Sequence, residues 1–287
     1  MYVLRPYTKS RDYVKSPFRY PGGKFYAAKY ILPFLADIAH NEYREPFVGG
    51  GSIFFAKPKA AHNIINDLDT DIIDMYRAFA DAELADRIIE RLKTEVANRE
   101  RHAQIKNYVP EDFYEKVYRT YYLNRTSYCG IVNAPAWGYK EGKSSPPQNW
   151  GAFIIAIREK LRGVTICNRD FEDIINLPAN GHDVMMYLDP PYYATDQKRA
   201  YTKSFVLEDH IRLAEVLRAT PHKFCVSYDD VPEVRKLYAW ANIYPLQWLY
   251  CSANKKGESR QLGNELIITN YEVRTQAEPV LDFCDQP

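Results

Sequence analysis

Hydrophobic and polar positions along this chain follow two different periods. Short apolar runs of strand length stand at Tyr43 to Val48, Asn63 to Asn66, Val164 to Cys167, Val184 to Leu188 and Lys223 to Ser227. Helical stretches such as Phe25 to His40 lie between them, the pattern of an α/β sheet with crossover helices. A C-terminal pair, Ile243 to Tyr250 and Glu265 to Asn270, predicts an antiparallel hairpin. From Thr70 to Lys160 the spacing turns helical, with apolar positions at Ile72, Ile73, Met75, Tyr76 and Phe79 and then at Leu84, Ile88, Ile89 and Leu92. No strand signal returns until after Arg162, and the Gly-, Pro-, Ser- and Asn-rich segment Asn133 to Trp150 is the loop-like part of that block. The predicted organisation is an α/β unit formed by residues 1–69 and 163–287, interrupted by a mostly helical insertion over 70–162.

Composition narrows the class. With 287 residues, 46% hydrophobic and 26% charged, the chain can bury a sizeable core, which excludes disorder for most of it. Lys+Arg at 38 against Asp+Glu at 37 gives a net charge of +1, so nucleic-acid binding would have to use a local basic face. The stretch Met1 to Pro17 carries Arg5, Lys9, Arg11 and Lys15 with no apolar run behind them, unlike a signal peptide, and no apolar run is long enough for a membrane span. Five cysteines, Cys129, Cys167, Cys225, Cys251 and Cys284, are spread without a Cys-x-x-Cys pair. That spacing suggests neither a disulfide framework nor a metal site, and a reducing cytoplasm is the expected compartment.

Two constellations carry chemistry. In Glu45-Pro46-Phe47-Val48-Gly49-Gly50-Gly51-Ser52 a strand runs into three glycines and then a helical start at Ile53. Glycines at such a turn let backbone approach a ligand at the carboxyl edge of a sheet, although a glycine turn is also a common tight connection. Asn66-Asp67 ends the next strand, where an acidic residue accepts hydrogen bonds from a ribose diol or caps the following helix. Together the two resemble an adenosyl-nucleoside site. The more specific signal is Asp189-Pro190-Pro191-Tyr192, directly after the apolar run Val184 to Leu188. Consecutive prolines make a rigid loop and leave the Pro190 carbonyl as an acceptor beside the Asp189 carboxylate. Two fixed acceptors can hold both N–H donors of an exocyclic amine, and Tyr192 offers a flat face for a base. A third motif, Phe18-Arg19-Tyr20-Pro21-Gly22-Gly23-Lys24, lacks the glycine spacing and the Ser or Thr of a phosphate-binding loop, which argues against a nucleoside triphosphatase.

In order, Tyr20 to Lys24, Glu45 to Ser52, Asn66-Asp67 and Asp189 to Tyr192 resemble the Dam family of DNA adenine-N6 methyltransferases, the α group of the D12 class. The likeness continues through Tyr122-Leu123-Asn124-Arg125 with Gly130-Ile131, Arg169-Asp170-Phe171, Asp209-His210 with Leu213, and Glu265 to Tyr271. It implies a Rossmann-like, S-adenosylmethionine-dependent methyltransferase sheet with a C-terminal antiparallel hairpin, in which 1–69 and 163–287 are catalytic and 70–162 recognise the target. The implied reaction moves a methyl group from S-adenosyl-L-methionine to N6 of an adenine flipped out of duplex DNA. Carried over residue by residue, Tyr20 and Lys24 would line the cofactor pocket, Phe47, Gly49 and Gly51 its floor, and Asp67 would hold the ribose. Asp170 and Phe171 would belong to the same site, Phe171 near the adenine ring. Asp189, Pro190, Pro191 and Tyr192 would receive the base, with Asp189 also bordering the cofactor. Tyr20 stands where tryptophan is common, and an aromatic face beside a sulfonium retains its physical sense. A restriction endonuclease encoded elsewhere is a further partner that the resemblance suggests.

The likeness breaks after Tyr128-Cys129-Gly130-Ile131, where Val132, Asn133, Ala134 and Pro135 follow. Relatives that read GATC have an arginine and a longer hairpin there, so that specificity does not carry over. Arginine suits bidentate guanine recognition, whereas Asn133, Gln148 and Asn149 suit adenine edges. The expected DNA contacts are Arg125, Tyr128, Ile131, Asn133, Lys198, Arg199, Lys255, Lys256 and Arg260, with Lys203 beside them, while the N-terminal basic residues read as solvated surface. Two alternatives remain at this level: an N4-cytosine methyltransferase, which serine in place of Asp189 would have favoured, and a catalytically silent DNA-binding protein of the same fold.

Overall fold

The computed structural model describes residues 13–20, 22–194, 205–249 and 262–273. Its strands are β1 (Glu42–Glu45), β2 (His62–Asn66), β3 (Val164–Cys167), β4 (Val184–Leu188), β5 (Lys223–Asp229), β6 (Asn242–Leu249) and β7 (Leu262–Thr269). Its helices are α1 (Ala28–Ala36), α2 (Ser52–Ala56), α3 (Thr70–Ala80), α4 (Ala82–Leu92), α5 (Arg99–Asn107), α6 (Phe113–Thr126), α7 (Trp150–Leu161), α8 (Phe171–Ile175), α9 (Leu207–Ala219) and α10 (Pro232–Leu237). β3 and β4 occupy the predicted residues. β1 stops at Glu45, three residues short of the prediction, because Pro46 has no N–H to continue the ladder.

The strands form one seven-stranded sheet in the order β3-β2-β1-β4-β5-β7-β6. β1 to β5 pair in parallel, and β7 runs antiparallel to both β5 and β6. The chain winds outward from β1 to β3 on one side and from β4 to β5 on the other. The carboxyl ends of β1 and β4 therefore flank the point where strand order reverses, the place where open α/β sheets leave a crevice.

Side chains alternate across the sheet with period two. Tyr43, Ile65, Met185, Tyr187, Cys225 and Ile267 enter one buried cluster, and Val184, Met186, Leu188, Phe224, Val226 and Ile268 enter the other. α8, α9 and α10 cover the second face through Ile175, Leu213 and Val234. The crossover from β2 to β3 contains α3 to α7, and Ile72, Phe79, Tyr121, Trp150 and Ile157 from those helices join the same cluster as Tyr43 and Ile65.

Local chemistry divides that crossover into separate helices. Asp69, Asp81, Asn98 and Asp112 each accept a backbone N–H of the first turn of α3, α4, α5 and α6. Each such cap is worth about 1 kcal/mol over alanine. No helix among the described residues is long and apolar enough to cross a membrane.

Candidate active site

Loops at the carboxyl ends of β1, β2, β3 and β4 converge on a cavity of about 370 Å³, lined by Tyr20, Lys24, Phe47, Asp67, Phe171 and Asp189 among others. The glycine turn after β1 forms its floor. Gly51 holds φ +68, and a Cβ there would lie 2.7 Å from both a Phe55 ring carbon and the Tyr76 hydroxyl, so that position requires glycine. Tyr20 lies across the turn, its ring 2.9 Å from where a Cβ on Gly49 would stand. Tyr76, from α3, donates to the Gly49 carbonyl at 2.8 Å and fixes the turn from below.

Asp67 meets the same turn. Its Oδ2 accepts the Gly49 N–H at 2.8 Å and its Oδ1 the Asp69 N–H at 2.9 Å. Burial nevertheless pushes the carboxyl up to about 6, outweighing those hydrogen bonds. Neighbouring Asn66 pins three segments, accepting the Arg169 N–H and donating to Arg169 O and Pro46 O, each at 2.9 Å.

On the opposite wall Phe47 stacks on Phe171 with centroids 5.4 Å apart, and Arg212 from α9 lies 4.2 Å from the Phe171 centroid. Arg212 pairs with Asp170 at 2.7 Å, Glu172 at 3.0 Å and Asp209 at 3.1 Å. The guanidinium holds the Asp170 carboxyl below its usual range even though burial acts the other way.

The Asp189 carboxylate is held from two directions. Lys24 Nζ lies 2.8 Å from Oδ1 and 2.9 Å from Oδ2, and the Ser227 hydroxyl donates to Oδ1 at 2.8 Å. Ser227 also shares a 2.8 Å hydrogen bond with the Tyr187 hydroxyl. Lys24 lies 4.7 Å from the Tyr192 ring centroid, and the Tyr192 hydroxyl donates to Glu265 on β7. The loop after Tyr192 is fixed by Asp229, which accepts the Tyr193 N–H at 3.0 Å and the Ala194 N–H at 2.8 Å. Glu45, 1% exposed and beside the same cavity, is pushed by burial up to about 8, with Asp189 adding in the same direction. It stays protonated near neutral pH, and the Tyr43 hydroxyl donates to it at 2.6 Å.

Tyr20, Lys24, Phe47, Gly49, Gly51, Asp67, Asp170, Phe171, Asp189, Pro191 and Tyr192 thus border one cavity, and Pro190 is buried between the last of them. The expected DNA residues divide. Tyr128 is 62% exposed, Asn133 is exposed and Ile131 half-buried, all in the loop after α6. Arg125, expected at the DNA, is turned inward: Nη1 donates to Pro17 O at 3.0 Å, and the guanidinium lies 5.0 Å from the Phe153 centroid and 5.4 Å from the Trp150 ring. Aromatic packing and a backbone carbonyl occupy it. Lys198, Arg199, Lys203, Lys255, Lys256 and Arg260 lie outside the described residues.

Sequence reasoning missed Ser227, Arg212 and Asp229 as parts of this site, while Glu45 and Glu265 stood inside its motifs without an assigned role. A signal existed for two of the missed residues. Ser227 is a small polar residue inside the apolar run Phe224 to Tyr228, and Arg212 follows Asp209 at the i,i+3 spacing of a helical ion pair.

Fold and site together define a Rossmann-like methyltransferase whose acceptor loop suits an exocyclic amine. Comparison with known proteins gives the family: residues 20–251 match the D12 class N6 adenine-specific DNA methyltransferases, and the chain belongs to that family. It is similar to the type II methyltransferase M1.LlaDCHI of Lactococcus lactis subsp. cremoris, with 27% identity over 301 residues, 93% of this chain and 96% of that protein. The type II methyltransferase M.MjaIII of Methanocaldococcus jannaschii is 30% identical over 297 residues, 90% of this chain and 99% of its own. The DNA adenine methylase of Escherichia coli (strain K12) is 25% identical over 286 residues, 90% and 95% of the two chains. The enzyme is thus a DNA adenine-N6 methyltransferase, and the N4-cytosine and silent-binder alternatives fall away.

Proposed function

We propose that this enzyme takes its methyl group from S-adenosyl-L-methionine and delivers it to an adenine flipped out of duplex DNA. The observation that carries the reading is the Asp189 carboxylate, fixed by Lys24 and Ser227 at the cavity wall beside the Tyr192 ring. The cavity also fits the cofactor chemically: a glycine floor admits close approach, Asp67 presents carboxylate oxygens for a ribose diol, and Phe47 and Phe171 give apolar ring faces for an adenine. Bound there, S-adenosylmethionine supplies an electrophilic methyl group on a sulfonium.

The chain's own residues prepare the acceptor. The N6 lone pair of adenine is delocalised into the ring, which makes it a poor nucleophile. Hydrogen bonds from its two protons to Asp189 and to the Pro190 carbonyl localise that pair on nitrogen, an interaction that strengthens as positive charge develops. Asp189 is the group proposed to receive the departing proton, and its ion pair with Lys24 holds the carboxylate in place. Tyr192 stacks on the extruded base, and the buried Glu265 holds the ring by its hydroxyl.

The exposed loop containing Tyr128 and Asn133 is the proposed reader of sequence. Basic residues Lys198, Arg199, Lys255, Lys256 and Arg260 are proposed to meet phosphates, which positions the duplex without reading it. The type II names of two relatives support pairing with a restriction endonuclease, and a cytoplasmic setting suits the enzyme's substrate. The test is transfer from methyl-labelled S-adenosylmethionine to duplex DNA, followed by digestion to nucleosides. Label in N6-methyladenine with wild type, and less by about a hundredfold or more with Asp189→Ala, is the expected result. Transfer by Asp189→Ala within tenfold of wild type, or label in another base, would overturn the mechanism.

A further inference from the structure

The segment bearing Tyr20 and Lys24 and the loop bearing Tyr128 and Asn133 meet at one side chain. Asn124, in the last turn of α6, is 1% exposed. Its carboxamide faces the backbone of Arg19 edge-on: the Arg19 N–H donates to Oδ1 at 2.9 Å, and Nδ2 donates to Arg19 O at 2.7 Å. Nδ2 also donates to Gly130 O at 3.0 Å, so both amide protons are used. Gly130 closes the contact from the loop side. It holds φ +76, and a Cβ there would stand 1.9 Å from Arg19 O, so the two backbones touch with no room for a side chain.

Both partners of Asn124 are anchored beyond it. The loop is closed at its base by Tyr128 N–H to Ala136 O at 2.7 Å, Gly138 N–H to Thr126 O at 2.9 Å and a bridge between Ser127 and Trp137. These contacts hold the two ends of the loop together. On the other side Arg19 is followed by Tyr20, whose ring crosses the glycine turn, and then by Lys24, 2.8 Å from Asp189. Hydrogen bonds thus tie the loop to Arg19 through Asn124, Tyr20 O to the Gly23 N–H at 3.1 Å, and Lys24 to the Asp189 carboxylate.

We propose that Asn124 is a positioning residue that couples target reading to the cofactor pocket. A duplex that seats the loop also sets the backbone at Arg19, and with it Tyr20 and Lys24. The inference rests on the reading of the loop bearing Tyr128 and Asn133 as the DNA reader. A brace with a purely structural role would support the pocket equally with and without DNA, whereas a coupling residue acts on the difference between the two states.

Calorimetry measures that difference. S-adenosylhomocysteine, which cannot react, is titrated into the enzyme alone, into enzyme saturated with a duplex carrying its methylation site as mapped on plasmid DNA, and into enzyme with a scrambled duplex. In wild type the cognate duplex should tighten binding roughly tenfold, within the usual range of coupling between sites, and the scrambled duplex should not. Asn124→Ala should leave affinity in the absence of DNA within about twofold and reduce the cognate enhancement below about twofold. Should Asn124→Ala fail to fold by circular dichroism, Asn124→Ser, neutral and small enough for the buried site but too short to span Arg19 and Gly130, is the variant measured. A wild type with no cognate enhancement, or a folded variant that keeps it, overturns the coupling. Hydrogen exchange separates the failure of the underlying assignment: if the cognate duplex does not protect the amides of Tyr128 to Ala136 in wild type, the loop is not the reader and the coupling falls with it.

Discussion

Replacing Asp67 by asparagine should change the pH dependence of cofactor binding more clearly than its strength at any one pH. Asp67 receives the Gly49 and Asp69 N–H groups, and burial still raises its carboxyl from 3.8 to about 6. The ionised form is the one that accepts ribose hydroxyls strongly, and it is populated above the raised value. Between pH 7 and pH 5 its fraction falls from about nine-tenths to about one-tenth, so wild-type affinity for S-adenosylhomocysteine should weaken roughly tenfold on acidification. The ligand's amino group keeps its charge throughout this range. Asparagine is neutral, so Asp67→Asn should show a flat profile. At pH 7 it exchanges a charge-assisted hydrogen bond for a neutral one at a cost of about 1 to 1.5 kcal/mol, or roughly fivefold to tenfold in affinity. The two profiles should therefore approach each other near pH 5. Asp67→Ala should lose about 1.5 to 3 kcal/mol at pH 7. Titration calorimetry at pH 5, 6 and 7 measures all three proteins. A wild-type affinity unchanged across that range, or an asparagine variant with the wild-type slope, would refute the reasoning.

Asp189→Ala should lower methyl transfer about a hundredfold or more while duplex affinity by fluorescence anisotropy is retained; activity within tenfold of wild type would sink the mechanism. The raised Glu45 carboxyl, moved from 4.5 to about 8, means the folded protein keeps a proton that the unfolded chain has released, so stability drops as pH rises across that interval. Glu45→Gln should equal wild type in urea unfolding near the acid end and exceed it by a few kcal/mol, to order of magnitude, at the alkaline end; a gap independent of pH would count against it. Asn133→Ala should lower discrimination between cognate and near-cognate sites by about 1 to 3 kcal/mol, while Lys255→Ala should weaken all duplexes alike and flatten the salt dependence. Methylation rates on single-base site variants at fixed salt distinguish the two, and an unchanged rank order for Asn133→Ala would move recognition to other residues.

Strands were readable because their cause is local. The alternation Val184, Met186, Leu188 against Met185, Tyr187 is written in consecutive residues, and Asp189-Pro190 ends the run by its own backbone chemistry. The helix starts at Asp69, Asp81, Asn98 and Asp112 also have a local cause, a side chain that caps a first turn within its reach, although the helical spacing from Thr70 to Lys160 did not separate them. Arg125 shows the limit of such reading. Its type suited phosphate or base contact, but residue type does not say which way a side chain faces, and Trp150, Phe153 and Pro17 O take it inward.

By itself the sequence determined the strand and helix pattern, the glycine turn, the acceptor loop and, through their order, the family. Tertiary structure alone decided what touches what. Lys24 meets Asp189 across 165 positions of chain, Ser227 reaches the same carboxylate because β5 pairs with β4, and Asn124 clamps Arg19 across 105. Periodicity and turn chemistry act over a few residues, so they leave a signature in neighbouring letters. Strand order and the route of the crossover between β2 and β3 arise from burying faces against each other, and the partners they bring together leave no such local signature.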